Sequence, residues 1–298
     1  MVKIGNVPLD NGMLKICVPI VGRSLDELVQ ECRYLKDKIY DVVELRIDFL
    51  KDVLSLDAVG QALTAVRQEL PNDAILFTFR TKGEGGETDV PESYYFSLLD
   101  YAIKSSTIDA VDIEYFRDRE DIKKTLTVAK EYGITVIMSS HDFHKTPSFD
   151  EITGRLIGMK KLGADVAKLA CMPKSAKDVL TLLSATEAIK PQYPDEPLIT
   201  MSMGRLGAIS RISGECFGSS LTFGSAQKAS APGQLEVTTL HQILQALHSW
   251  ITLPIFSFSQ HTTKTGCRMK QFLLHTAVGF YITGYFQSVF QIRRGPIP

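Results

Sequence analysis

Residues 250–298 contain no Asp or Glu, although the chain as a whole is nearly neutral, with a formal net charge of −1. That overall balance gives no pull toward nucleic acid or an anionic membrane, so neither is expected as a partner. The five cysteines, Cys17, Cys32, Cys171, Cys216 and Cys267, form no Cys-x-x-Cys pair and are odd in number. A disulfide framework is therefore excluded, and a reducing cytoplasm is expected. The chain also lacks a Gly-x-x-x-x-Gly-Lys phosphate loop and a Gly-x-Ser-x-Gly elbow, which counts against nucleotide hydrolysis and serine hydrolase chemistry. Its first residues carry Asp10 and no apolar run behind basic residues, so no secretory signal is expected there.

What is present is a regular alternation. The chain has 298 residues and 44% hydrophobic content, enough to bury a sizeable core. Strand-like runs fall at 14–20, 42–48, 74–80, 110–115, 134–140, 164–171, 198–203 and 220–223, with helical patterns near 24–39, 55–70, 92–106, 118–132, 148–162, 174–190 and 236–248. Repeats of this kind suit right-handed strand-helix-strand crossovers, and eight strands suit an α/β fold of the (β/α)8 TIM barrel type. A doubly wound open sheet is the competing arrangement.

Charge placement favours the barrel. In Val42-Val43-Glu44-Leu45-Arg46-Ile47-Asp48 the charges share one parity and the apolar Val43, Leu45 and Ile47 share the other. Thr78 and Arg80 alternate in the same way with Phe77 and Phe79, as do Asp112 and Glu114 with Val111 and Ile113. A strand covered by helices on both faces does not tolerate such rows, whereas the C-terminal mouth of a barrel does.

Lys168 stands in the apolar run Ala164-Asp165-Val166-Ala167-Lys168-Leu169-Ala170-Cys171. Desolvation there favours a neutral amine able to attack a carbonyl, which makes Schiff-base chemistry the first hypothesis. The plainer alternative is a lysine whose stem lies on apolar surface while its head reaches water. His141 shares a face with Ile137 and Ser139 and is suited to carrying protons. With Asp142 and His144 it could instead hold a metal, but no further His or Cys cluster completes a shell, so no metal is expected. In Thr81-Lys82-Gly83-Glu84-Gly85-Gly86-Glu87, the glycines could let Glu84 approach the histidine or could simply form a solvated turn. Arg205 and Arg211 are either surface charges or carboxylate ligands beyond the seventh strand. The small residues of Lys228-Ala229-Ser230-Ala231-Pro232-Gly233-Gln234 suit a closing loop or a plain connector.

Glu44-Leu45-Arg46-Ile47-Asp48, Phe77-Thr78-Phe79-Arg80, Glu84-Gly85-Gly86-Glu87, Ser140-His141-Asp142-Phe143-His144, Lys168, Met201-Ser202-Met203 and Ser230-Ala231-Pro232-Gly233-Gln234 occur in that order. Together they resemble the type I 3-dehydroquinate dehydratases over roughly residues 13–248. The resemblance implies a homodimeric (β/α)8 barrel without metal or organic cofactor, converting 3-dehydroquinate to 3-dehydroshikimate in the shikimate pathway. It implies that Lys168 forms an imine with the ketone, that His141 is the general acid and base, and that Glu84 works with His141. By the same correspondence Arg211 holds the substrate carboxylate, while Glu44, Arg46, Arg80, Ser230 and Gln234 contact hydroxyls or close the site. Pro19 stands where one family member has serine, so any contact from that side chain is missing. The rival readings are a class I aldolase-type Schiff-base enzyme and a non-catalytic barrel that binds a small acid.

The resemblance ends near Ser249, giving an expected catalytic barrel over 1–249 and an atypical apolar extension over 250–298. Trp250 to Phe258 and Phe272 to Phe290 are apolar and aromatic, so any membrane contact is expected through this extension alone. His275, Thr276 and Gln287 weigh against a membrane span there.

Overall fold

The computed structural model of the chain describes residues 1–9 and 12–253. A short antiparallel hairpin, β1 (Lys3–Ile4) and β2 (Val7–Pro8), precedes the main sheet. Eight parallel strands follow: β3 (Lys15–Ile20), β4 (Val42–Arg46), β5 (Ala74–Thr78), β6 (Ala110–Glu114), β7 (Thr135–Asp142), β8 (Val166–Cys171), β9 (Leu198–Ser202) and β10 (Leu221–Ser225). Helices α1 (Leu25–Leu35), α2 (Leu56–Glu69), α3 (Glu92–Lys104), α4 (Arg119–Tyr132), α5 (Phe149–Leu162) and α6 (Ala176–Ile189) connect them in turn. Two short helices, α7 (Ala208–Ile212) and α8 (Gly214–Phe217), separate β9 from β10, and α9 (Val237–Ile251) follows the two-residue strand β11 (Leu235–Glu236).

The sheet runs β11-β10-β3-β4-β5-β6-β7-β8-β9 and curls into the expected α/β barrel. Its seam is β9 to β10, joined at the base by the Leu198 to Ser219 bridge and by Ser220 N–H donating to the Leu198 carbonyl at 2.8 Å. Residues just before the strands stitch that base together. Asp41, Asp109 and Asp165 each accept a backbone N–H of the preceding strand, from Ile16, Ile75 and Val136 at 2.7–2.8 Å. At the seam Ser219 does the same for Thr200 N–H at 3.2 Å, so four strand pairs carry one device.

Helix starts follow from local chemistry. Ser24, Ser55, Ser148 and Ser175 accept from the first-turn N–H three residues on, with reciprocal capping boxes at Ser148 with Glu151 and Ser175 with Asp178. Gly133 and Gly163 close α4 and α5 in the left-handed conformation that a side chain disfavours.

The strand parity holds in three dimensions. Val43, Leu45, Phe77, Phe79, Val111, Ile113, Met138, Ala167, Leu169 and Cys171 pack outward against the helices. Cys17, Val42, Leu76, Ala110, Ile137, Val166, Ile199 and Leu221 fill the lower interior, where Ile4 and Leu9 plug the base. The buried Val, Leu, Ile, Phe and Met side chains contribute about 1.5–3 kcal/mol each, and these two apolar layers support a charged interior above them. Glu44, Arg46, Thr78, Asp112, Glu114, Ser139 and Lys168 are all buried there.

Strand ends differ from expectation in ways that bear on the site. β4 stops at Arg46, and Asp48 lies on a 3-10 turn, Ile47–Phe49. β5 stops at Thr78, so Arg80 stands beyond the strand, while β7 extends to Asp142 and carries His141 within it. The hairpin at 3–8, β11 and the helices α7 and α8 were not expected. Among the described residues no helix is long and apolar enough to cross a membrane. The expectations for residues 254–298 lie outside the described residues.

Candidate active site

The C-terminal mouth of the barrel holds a narrow cleft lined by Glu44, Arg46, Arg80, Glu84, His141, Lys168, Ser230 and Gln234. Apolar Phe143, Ala170, Met201, Met203 and Phe223 complete its wall. Eight of the nine expected site residues therefore face one space. The ninth, Arg211, lies behind it on α7, packed against Met201 and the Pro232 carbonyl.

Lys168 is 2% exposed, so it does not reach for solvent. Its Nζ lies 3.0 Å from Asp112 Oδ2 and 3.5 Å from Glu44 Oε1, over the Phe223 ring at 4.6 Å from the centroid. Glu44 Oε1 also accepts from Thr78 Oγ1 at 2.9 Å. The lysine head is thus held between two carboxylates and an aromatic face at the floor of the cavity.

Glu84 reaches the cavity on a 3-10 turn, Lys82–Glu84, that ends at Gly85 with φ of 85°. A Cβ on Gly85 would run into the Phe143 ring, and one on Gly86 would run into the Arg80 carbonyl. These glycines allow the loop to lie flat against the mouth and carry Glu84 to His141. Glu84 Oε2 lies 3.0 Å from His141 N and 2.9 Å from Nδ1. Burial, with the Glu114 and Asp112 carboxylates nearby, pushes Glu84 up to about 8 despite Arg80. Burial and the Arg80 and Lys168 cations push His141 well below its usual value. Both directions favour a neutral pair over an ion pair. Oε2 accepts the backbone N–H and meets ring Nδ1, so Nε2 is the ring nitrogen that faces away from Glu84.

Arg80 is the hub beneath this pair. Its Nη2 donates to Asp112 Oδ1 at 2.8 Å, and its Nη1 donates to Ser139 Oγ at 2.9 Å and Glu114 Oε1 at 3.2 Å, with Glu84 Oε2 at 3.6 Å. Burial alone would depress this guanidinium, but the surrounding carboxylates hold it above its usual value. Arg46 forks onto Asp48 with two 2.9 Å bonds, and Asp48 in turn accepts the N–H of Arg80 and Glu87, tying down the glycine loop.

The loop after β10 sits on the rim. Ser230 N–H donates to Gln234 Oε1 at 2.9 Å and Gln234 Nε2 donates to Ser230 Oγ at 3.1 Å, while Gly204 N–H and Arg211 Nη2 both reach the Pro232 carbonyl. Pro19, level with Glu44 across β3 and β4, is buried in a separate recess with Ala226 to Lys228 and carries no side-chain hydrogen-bonding group. Asp112, Ser139, Phe143 and Phe223 are part of the site although the sequence motifs assigned them no role. Strand parity already turned Asp112 inward, and that was the available signal.

Among the described residues, no group of three or more His, Cys, Asp or Glu is placed to hold a metal. His144 instead donates its backbone N–H to Asp142 Oδ1.

The family profile of type I 3-dehydroquinase matches residues 16–250. The 3-dehydroquinate dehydratase of Clostridium novyi is 49% identical over 248 residues, covering 83% of this chain and 98% of the relative. That of Listeria welshimeri is 48% identical over 247 residues, with the same coverage of 83% and 98%. Among solved structures, the type I enzyme of Clostridium difficile with covalently modified comenic acid superposes with a TM-score of 0.81 at 41% identity, covering 84% of this chain and 98% of that one. The Enterococcus faecalis enzyme superposes at 0.77 with 39% identity, covering 83% and 99%.

Proposed function

Because this chain belongs to the type I 3-dehydroquinase family of dehydratases, lyases of the shikimate pathway, we propose that it eliminates water from 3-dehydroquinate through a Schiff base on Lys168. The observation that carries this reading is that Lys168 Nζ and the Glu84-bound His141 open onto one cleft at the barrel mouth.

Lys168 gives up one ammonium proton to attack the ketone, and the carbinolamine oxygen takes up that proton and leaves as water, giving an iminium that draws electrons from the adjacent carbon. His141 Nε2 removes a proton from that carbon, giving an enamine. The enamine expels the neighbouring hydroxyl, which takes the proton back from the imidazolium, so one ring serves both halves of the elimination. Hydrolysis of the conjugated iminium frees 3-dehydroshikimate and Lys168. Arg211 holds the substrate carboxylate, and Glu44, Arg46, Arg80, Ser230 and Gln234 arrange its hydroxyls or close the rim. The covalently modified comenic acid of the Clostridium difficile relative supports a site built for covalent capture.

The barrel over 1–249 is the catalytic unit in this reading, acting as a homodimer in the cytoplasm. The buried free thiols of Cys17, Cys32 and Cys171 support a reducing compartment. Treating the enzyme with substrate and borohydride and mapping the product by mass spectrometry tests the mechanism. A stable adduct on Lys168 is expected, and an unmodified Lys168 under turnover sinks it.

A further inference from the structure

We propose that Asp112 is the permanent counter-ion of the Lys168 nitrogen, keeping that nitrogen cationic through the imine stage of the reaction. This rests on the Schiff-base reading and adds a residue to it. Two carboxylates approach Nζ, but they are not equivalent. Glu44 lies on the cavity wall, where an incoming ligand competes for it, and stands 3.5 Å away. Asp112 is 0% exposed, is absent from the cavity wall, and stands 3.0 Å away. Its second oxygen is pinned by Arg80 Nη2 at 2.8 Å and Ser139 Oγ at 2.6 Å, so the carboxylate cannot swing aside. When substrate engages Glu44, Asp112 is the anion left beside the nitrogen.

The reaction needs such an anion twice. Taken as a whole, imine formation turns an ammonium and a ketone into an iminium and water. The ketone oxygen leaves with two hydrogens that balance the two lost from the ammonium, and the new carbon-nitrogen double bond carries the same single positive charge. A fixed carboxylate therefore matches the nitrogen before and after the step without reorganising. Burial opposes ionisation of Asp112, but the Arg80 and Lys168 cations outweigh it and hold the carboxyl well below its usual range. The other charged or titratable groups facing this centre are Cys17 from β3, Arg46 from β4, Arg80 and Glu84 from the loop after β5, Glu114 from β6 and His141 from β7. Among the described residues only Asp112 and Glu44 form ion pairs with Nζ.

Asp112→Asn keeps the shape and removes the charge. We expect kcat to fall roughly 10²-fold with a much smaller change in KM. The alkaline limb of kcat should also move toward neutral pH, because an imine without its anion loses its proton more readily and a neutral imine is a weaker electron sink. Asp112→Glu, which retains the charge, should keep the wild-type limb even if its rate is low. An Asp112→Asn variant whose pH profile runs parallel to the wild type overturns the proposal.

The wild-type enzyme supplies a check that does not depend on the variant folding. Cyanoborohydride reduces protonated imines, whereas borohydride reduces imines generally. The ratio of the two adducts should stay flat from about pH 7 to about pH 9, and a ratio that falls steadily across that range overturns the proposal. If neither reagent yields an adduct, the Schiff base itself is wrong. Adducts with a falling ratio remove the role of Asp112 alone.

Discussion

One oxygen of Glu84 holds His141 at two points, accepting the backbone N–H at 3.0 Å and meeting ring Nδ1 at 2.9 Å. The two contacts lie on different parts of one residue, so they fix both the height of the strand end and the rotation of the ring. The pairing leaves Nε2 as the only free ring nitrogen, directed away from Glu84.

Burial makes this clamp costly, and the cost depends on pH. Glu84 is an acid whose folded-state pKa, about 8, lies above its usual carboxylate value. Its penalty is absent at pH values where the carboxyl is protonated in both folded and unfolded chains. The penalty grows as pH rises through the unfolded value and is complete above the folded one. Glu84→Gln should therefore stabilise the protein by on the order of 1–2 kcal/mol at alkaline pH and by little near pH 4. Its kcat should fall within the roughly 10²-fold expected for a disturbed proton carrier. Thermal melts at the two pH values check the sign, and a gain confined to acid pH would contradict it.

Gly85 should be intolerant of any side chain. Its φ of 85° lies in the left-handed region, and a Cβ would strike the Phe143 ring. Gly85→Ala should cost about 1–2 kcal/mol in backbone strain alone. Because Glu84 is the adjacent residue, kcat should fall along with stability. Melting temperature and turnover both unchanged would show that the turn can relax without moving Glu84.

How much of this was legible in the sequence depended on the kind of information each residue carries. Alternation along a strand survives in the sequence, so Glu44, Arg46 and Lys168 were correctly turned inward and Leu45 and Leu169 outward. Which inward charges meet depends on strand stagger around the closed sheet, which no single strand records. Lys168 is level with Ser139 in the ladder, yet its Nζ pairs with Asp112, 56 residues away in sequence. The hairpin at 3–8 has two-residue strands, too short for any period to show. Of the two readings open for the glycine loop, a plain solvated turn does not hold, because Asp48 accepts N–H groups from Arg80 and Glu87 and Glu84 meets His141. Composition alone did not connect those positions. For Arg211, Ser230 and Gln234 the residues alone left two readings open, and only the family resemblance assigned them roles, since a short helix and a loop offer no alternation to read.

Arg211 is 1% exposed, yet among the described residues no Asp or Glu pairs with it. Its Nη2 donates to the Pro232 carbonyl at 3.1 Å, Nη1 lies 3.6 Å from Met201 Sδ, and Nε has no partner. Burial pushes this guanidinium down to about 10, the mark of a cation removed from water without an anion. A buried charge left in that state costs stability, and a substrate carboxylate would offset the cost. Arg211→Met should accordingly raise the melting temperature of the free enzyme. It should also raise KM by roughly 10- to 100-fold, the 1.5–3 kcal/mol typical of a hydrogen bond to a charged group, with kcat less affected. The two effects must run in opposite directions if Arg211 is a substrate ligand. A lower melting temperature with KM unchanged would make it a structural anchor for the 230–234 loop instead, and the carboxylate would have to be held elsewhere.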